Sequence, residues 1–129
     1  MTKLTVEADC GNAPRKLFLK AFYRALVNAE FDLMTENLTE QISWVLPDST
    51  QTSGKEMFLQ NVKKKIPTNA DELSIDLIIT HGPHAAVTGK IVLSDSKVYS
   101  FCDIYDFGTA GANKIRYIKS FLSKGSKND

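Results

Sequence analysis

The feature that most constrains this chain is a change in the period of its apolar residues near residue 67. Before that point apolar side chains recur at helical spacing, and after it they alternate with polar ones, as they do along half-buried strands. The alternation runs through four segments that are separated by short turns, at residues 73–80, 85–93, 98–107 and 114–122. Because no helical segment lies between these strands, we expect them to pair as an antiparallel meander.

The first half of the chain predicts helices that cover one face of this sheet. A helix begins at Pro14, where a missing backbone N–H is tolerated, and its apolar residues share one side. A shorter helix follows from Asp32, then a strand at residues 41–46 that Pro47 ends, then a third helix that Pro67 ends. The predicted fold class is α+β, with N-terminal helices packed on a curved antiparallel sheet around an internal pocket.

The length of the chain favours a single domain. A chain of 129 residues buries roughly two-thirds of the surface that its unfolded form exposes, which is enough for one core. Residues 1–12 show no period and are expected to form a flexible leader. The domain proper is expected at residues 14–122, and residues 123–129 are expected to form a flexible, solvated tail.

Composition excludes several classes of partner. With 43% hydrophobic residues, 24% charged residues and a net charge of +1, the chain resembles an ordinary globular protein. Its basic residues are dispersed apart from the cluster at residues 63–65, so we expect no nucleic-acid partner. No apolar run approaches the roughly twenty residues that cross a bilayer, and the first ten residues lack a secretion signal. We therefore expect no membrane partner and a cytoplasmic location.

The residues that bind metals and cofactors do not occur in the usual motifs. Cys10 and Cys102 form no CxxC pair, and His81 and His84 have no nearby carboxylate or cysteine at ligand spacing. The chain contains no Walker A loop, no dinucleotide fingerprint and no GxSxG motif. We expect neither a metal nor a cofactor.

The predicted strand at residues 98–107 places a carboxylate in an aromatic row. Asp103 shares one strand face with four aromatic residues, namely Tyr99, Phe101, Tyr105 and Phe107. Desolvation by such neighbours raises the pKa of an acid, and a carboxyl group poised near neutral pH can act as a general acid or base. The alternative is a structural carboxylate, held in an ion pair or by hydrogen bonds.

The pairing of this strand with the preceding one follows from the length of the turn. An odd-length turn at residues 94–96 places Val87 opposite Asp103 and Gly89 opposite Phe101. The even alternative would place Lys90 among aromatic side chains and is disfavoured. A glycine at this position leaves room above the Phe101 ring.

The pairing with the following strand stays open. A turn centred between residues 110 and 111 puts Asp103 opposite Ile118, with Arg116 as a diagonal neighbour. A slip of one residue replaces Ile118 with Lys119. Either register offers the carboxylate a basic side chain.

The order of these elements resembles that of the nuclear transport factor 2-like superfamily, which includes SnoaL-type polyketide cyclases and ketosteroid isomerases. The match covers residues 14–122. It is carried by short segments in the right order, namely Phe31-Asp32-Leu33, Ile42-Ser43-Trp44, residues 85–89, residues 99–107 and Lys114-Ile115. The resemblance implies a cone in which a bent sheet and three helices enclose an apolar cavity, often in homodimers that pair through the sheet.

The resemblance also assigns a role to one residue and departs from the family at two others. Asp103 lies four residues before Phe107, as does an acid that donates a hydrogen bond to an oxyanion in ketosteroid isomerases. The aspartate that serves as base in those enzymes is replaced here by Leu46. The first-helix tyrosine of their oxyanion hole corresponds to Phe22, with Tyr23 one position away. Ketosteroid isomerisation itself is therefore disfavoured.

Our leading hypothesis is a cofactor-free domain whose cavity holds a small, largely apolar organic molecule. As an enzyme it would be an isomerase or cyclase that acts next to a carbonyl, with Asp103 as acid or base and Tyr105 or Arg116 orienting the substrate. The alternative is a non-catalytic ligand-binding or dimerisation module. The cavity wall is expected to comprise eight apolar and aromatic residues, namely Phe18, Phe22, Trp44, Phe58, Val87, Phe101, Phe107 and Ile118.

The outer face of the sheet predicts a homodimer. Helices on one side only would leave the other face uncovered, and apolar side chains grouped there mark an association surface. Alternation places Ile78, Val92, Val98 and Ile104 on or near that face.

Overall fold

Three helices lie on one face of a seven-stranded sheet in the computed structural model, which describes residues 3–6, 13–48, 50–65 and 70–126. The helices are α1 (Pro14–Val27), α2 (Phe31–Glu36) and α3 (Lys55–Lys65). The strands are β1 (Lys3–Val6), β2 (Leu38–Val45), β3 (Gln51–Ser53), β4 (Ala70–His81), β5 (His84–Leu93), β6 (Lys97–Asp106) and β7 (Ile115–Ser126). The predicted α+β class is confirmed.

The sheet is curved and mixed, with the strand order β1-β4-β5-β6-β7-β2-β3. Its centre is the predicted antiparallel meander of β4, β5, β6 and β7. The sheet as a whole is mixed rather than antiparallel, because β1 pairs with β4 and β2 pairs with β7 in parallel, whereas β2 pairs with β3 antiparallel. Each of the two parallel pairs joins strands that are far apart in sequence, so no local pattern indicates them.

The structure differs from the predicted leader at residues 3–6, which form strand β1. Leu4 and Val6 pack against the core, while the Thr5 hydroxyl donates a hydrogen bond of 2.5 Å to Glu72. Four residues are too few for an apolar period to be recognised in sequence. The remainder of the predicted leader, including Cys10, lies outside the described residues.

Other element boundaries also differ from the sequence prediction. Strand β2 begins at Leu38 rather than at residue 41, and the predicted loop before α3 contains the short strand β3. Strand β7 continues to Ser126, so the segment predicted as a tail from residue 123 begins as a strand that pairs with β6. Residues 127–129 lie outside the described residues. Pairing of backbone groups with β6 extends β7 beyond its apolar residues.

A β-bulge in β4 turns the side chains of its second half to the sheet face opposite to the predicted one. Between Ile75 and Leu77 the strand advances by two residues while β5 advances by one, so every later side chain changes face. Ile78 is buried at 1% exposure, whereas Leu77 and Ile79 are 42% and 52% exposed. The prediction that Ile78 lies on the outer face is therefore wrong.

The β5–β6 pairing has the predicted register. Val87 lies opposite Asp103 and Gly89 opposite Phe101. A β-carbon on Gly89 would lie 2.0 Å from the carbonyl oxygen of Ser74 and 2.7 Å from the Phe101 ring. Glycine is thus required here by the close approach of β4 and of the ring.

The β6–β7 register differs from both alternatives that the sequence leaves open. Asp103 lies opposite Ser120, and Ile118 lies opposite Tyr105. The start of β7 is tied to the end of α2, because Ile115 N–H donates to the Asn37 carbonyl at 2.9 Å. This long-range attachment sets the register, rather than a symmetric turn.

The core lies between the helices and the inner face of the sheet. Helix α1 buries Leu19, Phe22, Tyr23 and Ala25. Among the residues that the structure describes, no helix has both the length and the apolar character needed to cross a membrane.

Candidate active site

A cavity of about 280 Å³ lies between the helices and the inner face of the sheet. Its wall is largely apolar and rich in aromatic rings. The polar side chains of the wall are Tyr23 on α1, Asp103, Tyr105 and Ser120 on the sheet, and Asp48 on the loop after β2. It is lined by Phe22, Tyr23, Leu26, Met34, Trp44, Leu46, Pro47, Asp48, Phe58, Val62, Leu73, Ile91, Phe101, Asp103, Tyr105, Ile118, Ser120, Phe121 and Leu122. These dimensions suit a small organic molecule.

Alternation along β6 aims Asp103 into this cavity. Phe101 and Tyr105, two residues to either side, point the same way and also line the wall. Across the sheet, Val87 on one neighbouring strand and Ser120 on the other flank the carboxyl group. Asp103 keeps partial exposure because its side chain faces the cavity, although the protein surrounds and desolvates it.

Tyr23 connects Asp103 to a second tyrosine. Its hydroxyl donates a hydrogen bond of 2.5 Å to Oδ2 of Asp103, and it lies 2.5 Å from the hydroxyl of Tyr105. Helix α1 therefore contributes directly to the polar end of the cavity. The rings of Tyr23 and Tyr105 are nearly perpendicular, with centroids 6.5 Å apart.

A second arm of hydrogen bonds reaches Asp103 from the opposite side. The indole N–H of Trp44 donates to the hydroxyl of Ser120 at 2.9 Å, and Ser120 in turn hydrogen-bonds Asp103. We call these five side chains, Tyr23, Trp44, Asp103, Tyr105 and Ser120, the Asp103 network. Its partners for the carboxyl group are hydroxyls, not cations.

Burial raises the pKa of Asp103 above its ordinary value, because desolvation disfavours the charged form. Hydrogen bonds from Tyr23, Ser120 and Tyr105 oppose this shift, since they stabilise the carboxylate. Burial likewise raises the pKa of Tyr23 and of Tyr105 well above the usual value, and the nearby Asp103 charge adds to that. These raised pKa values keep both tyrosines neutral, so Asp103 is the acidic group of this network.

Five of the eight predicted wall residues line the cavity, namely Phe22, Trp44, Phe58, Phe101 and Ile118. Phe18, Val87 and Phe107 do not. Phe18 and Phe107 pack edge to face on each other at 5.5 Å, and the Arg15 guanidinium covers the Phe107 ring at 3.7 Å. Val87 is fully buried in the core beside Asp103 rather than open to the cavity.

Arg116 does not approach Asp103, so its predicted role as an orienting partner is wrong. Its guanidinium donates two hydrogen bonds to Oδ2 of Asp106, at 2.9 and 3.3 Å. Asp106 lies three residues along β6 and therefore points to the opposite face from Asp103. Lys119, the alternative partner, lies opposite Ile104 on that same outer face.

Sequence reasoning missed two residues of the Asp103 network. The family resemblance places the tyrosine of its oxyanion hole at Phe22, one position from Tyr23. Ser120 was missed because the predicted register placed Ile118 opposite Asp103. Each error is a small displacement along an element whose type and direction were predicted correctly.

The histidines lie away from this cavity, facing one another across the β4–β5 turn. In the described part of the chain no three histidine, cysteine or acidic side chains converge as metal ligands. Cys102 is a free thiol on β6.

The comparisons with known proteins rest on structure. No protein-family profile and no curated protein sequence matches the chain. An NTF2-like protein of unknown function from Burkholderia xenovorans superposes with a TM-score of 0.73 at 15% identity, over 87% of this chain and 84% of that one. A protein named provisionally as a ketosteroid isomerase, from Kribbella flavida, has a TM-score of 0.71 at 17% identity, over 86% of this chain and 78% of that one.

A third similar structure is named provisionally as a SnoaL-like polyketide cyclase and comes from Shewanella denitrificans. It has a TM-score of 0.70 at 9% identity and covers 86% of this chain and 92% of its own. At such low identities these likenesses establish the fold and leave the activity to the residues of the site. The chain adopts the nuclear transport factor 2-like fold, as its sequence predicts.

Proposed function

We propose that this protein binds a small, largely apolar organic molecule in its cavity, with Asp103 as the chief polar contact. The observation that carries the proposal is the placement of a desolvated carboxyl group at the end of an otherwise apolar, aromatic wall. Burying a carboxyl group without a cation costs stability, which a purely structural site would avoid. Such an arrangement is typical of a site that needs the acid for its ligand.

The chemistry that this site supports best is proton transfer or cyclisation next to a carbonyl. Asp103 would act as the acid or base, and Tyr23 and Tyr105 would position it through their hydroxyls. The similar structures that carry provisional names as an isomerase and a cyclase agree with this class of reaction. Arg116 has no part in the proposal.

Two experiments test the proposal on the same protein samples. The first is a thermal-shift screen with small apolar carbonyl compounds, in which a ligand at a hundredfold excess over its Kd adds about 2.7 kcal/mol of stability. The second follows exchange of the methyl protons of acetophenone with deuterated solvent by NMR. Exchange should be accelerated by the wild-type protein and not by Asp103→Asn.

Asp106→Asn is the matched control, since it makes the same chemical change on the same strand but faces away from the cavity. It should behave as the wild type in both experiments. Ligand binding without accelerated exchange would reduce the proposal to a binding domain. A broad panel with no stabilising compound would count against a small-molecule function.

The second candidate function is a dimerisation module, favoured by apolar side chains on the outer face of the sheet. Leu77 and Ile79 are exposed there at 42% and 52%. They lie in two adjacent cross-strand rows with Ala86 and Ile104. We call these four residues, Leu77, Ile79, Ala86 and Ile104, the outer-face patch, and we propose that it joins two copies of the chain.

A further inference from the structure

The carboxylate of Asp103 can accept more hydrogen bonds than its protein partners supply. An ionised carboxylate has about four acceptor positions. Three hydroxyl groups, those of Tyr23, Tyr105 and Ser120, bond to it. Because Asp103 also lines the cavity, the position that is left can accept a hydrogen bond from a bound molecule.

The hydroxyl and indole groups of the wall already donate to acceptors within the protein. Trp44 donates to Ser120, whose own hydroxyl donates to Asp103. The Tyr23 hydroxyl donates to Asp103, and Tyr105 donates to Tyr23 or to the carboxylate. Each of these groups carries one polar proton, so the described wall has no spare side-chain donor for a bound molecule. The wall accepts hydrogen bonds and supplies none.

The charged side chains of the described wall are both acidic. Asp103 lies at the polar end of the cavity and Asp48 on the exposed loop after β2, and the described wall residues include no lysine, arginine or histidine. A desolvated carboxylate without a cation is costly, and a ligand that supplies the cation removes that cost. The aromatic rings of the wall, namely Trp44, Phe58 and Phe101, favour a cation further, because ring faces attract positive charge.

We infer that the ligand of this cavity is an amine, with an apolar body and one ammonium group that donates to Asp103. The ammonium brings the donor and the positive charge that the wall lacks, while the body occupies the apolar remainder. This inference rests on the proposed function, since it specifies the charge of the molecule that the same cavity binds. The ionised carboxylate that it requires is also the form that acts as base in the proposed reaction.

Four ligands that share a phenyl ring and differ in charge test the inference. At neutral pH 2-phenylethylamine is a cation, 2-phenylethanol is a neutral donor, propylbenzene has no polar group and 3-phenylpropanoate is an anion. Trp44 is the only tryptophan in the sequence and forms part of the wall, so its fluorescence reports occupancy. The amine should bind the wild type at least about tenfold more tightly than the other three, as one hydrogen bond between charged groups predicts.

Asp103→Asn removes the charge and keeps the size of the side chain. It should weaken binding of the amine at least about tenfold and leave that of propylbenzene unchanged. Asp106→Asn is the matched control, because its carboxylate pairs with Arg116 and does not line the cavity, so the amine should bind it as it binds the wild type. Asp48→Asn should have a smaller effect that salt removes, since exposed charges are screened.

The ranking of the four ligands on the wild type needs no variant, so it tests the inference even where Asp103→Asn fails to fold. If any of the other three binds as tightly as the amine, the inference is overturned and the proposed function stands. The same holds if Asp48→Asn weakens the amine and Asp103→Asn does not. Failure of all four ligands and of acetophenone to bind would overturn both.

Discussion

Asp103 differs from most buried carboxylates in the nature of its partners. A structural acid in a core is usually paired with a cation, whereas Asp103 receives hydrogen bonds from Tyr23, Tyr105 and Ser120. Of the two basic residues that the sequence offers as partners, Arg116 pairs with Asp106 instead, and Lys119 lies on the other face of the sheet. Neutral donors stabilise the carboxylate without cancelling its charge, which keeps both protonation states accessible.

The stability of the wild type relative to Asp103→Asn should therefore depend on pH. Burial raises the folded-state pKa of Asp103, so its favourable contribution is complete below the unfolded value of about 3.9 and is lost as pH rises through the folded value. At neutral pH Asp103→Asn should be as stable as the wild type or more stable, and the difference should shrink toward acid. Urea unfolding across this range measures it.

Asp106→Asn provides a control in which the contribution of the carboxylate to stability changes with pH in the opposite direction. The hydrogen bond from Arg116 is the main cause that lowers the pKa of Asp106, so its contribution is present above the unfolded pKa and is lost as pH falls. Because this pair is largely exposed, the substitution should cost no more than about 1 kcal/mol at neutral pH. A loss on the order of 3–5 kcal/mol in Asp103→Asn at neutral pH would instead indicate a structural ion pair and contradict our assignment.

The direction in which a side chain points was easier to predict for residues on strands than for residues on the first helix. Alternation has a period of two, so the facing of Asp103 follows once β6 is recognised. On a helix, the side chains of consecutive residues point about 100° apart, so two consecutive residues can both lie on a broad buried face. Phe22 and Tyr23 are each 2% exposed, so burial does not separate the residue that packs from the residue that donates to Asp103.

At the scale of elements, Gly89 and the bulge in β4 occur at the same place. Gly89 pairs with Ile75, the last residue before β4 changes phase. The carbonyl of Ser74 and the Phe101 ring both lie within the space that a side chain at Gly89 would occupy. The bulge and the aromatic wall of the cavity therefore depend on one residue without a side chain.

Gly89→Ala should destabilise the protein by about 1–3 kcal/mol or more, as overpacking of a well-packed core does. The added methyl group would lie 2.0 Å from a backbone oxygen that cannot rotate away. The free energy of unfolding in urea measures the cost. Gly111→Ala is the control, because nothing lies within 4 Å of its new methyl group, and it should stay within about 0.5 kcal/mol of the wild type.

The two hairpins around β6 show which pairings a sequence reveals. The turn after β5 is short and closes with Ser96 N–H donating to the Leu93 carbonyl at 3.0 Å, so its length determines the register. The loop after β6 is longer, and Phe107 N–H donates to the carbonyl of Pro83, outside the β6–β7 ladder. Its register depends on contacts with β2 and β5, which no local pattern encodes.

At the scale of the whole molecule, the bulge moves the expected association surface. Leu77 and Ile79 replace Ile78 on the outer face, where they join Ile104. We expect light scattering at micromolar concentration to give twice the chain mass of 14.3 kDa. Ile79→Lys should shift the protein toward monomer by placing a charge in the outer-face patch.

Leu17→Lys is the matched control for this prediction. Leu17 is as exposed as Ile79, at 50%, but lies on α1 rather than on the sheet. It should leave the mass unchanged. A monomeric wild type, or equal effects of the two lysines, would contradict an interface through the outer-face patch.

The parallel pairing of β2 with β7 also determines when the cavity can exist during synthesis. Trp44 reaches its partner Ser120 only across the contact between these strands, and 76 positions separate the two residues. A ribosome must deliver almost the whole domain before the wall closes and Asp103 acquires its second arm of hydrogen bonds. Until then the nascent helices and the early strands carry the aromatic side chains of the cavity without an enclosure, so the cavity forms only as translation of this domain ends.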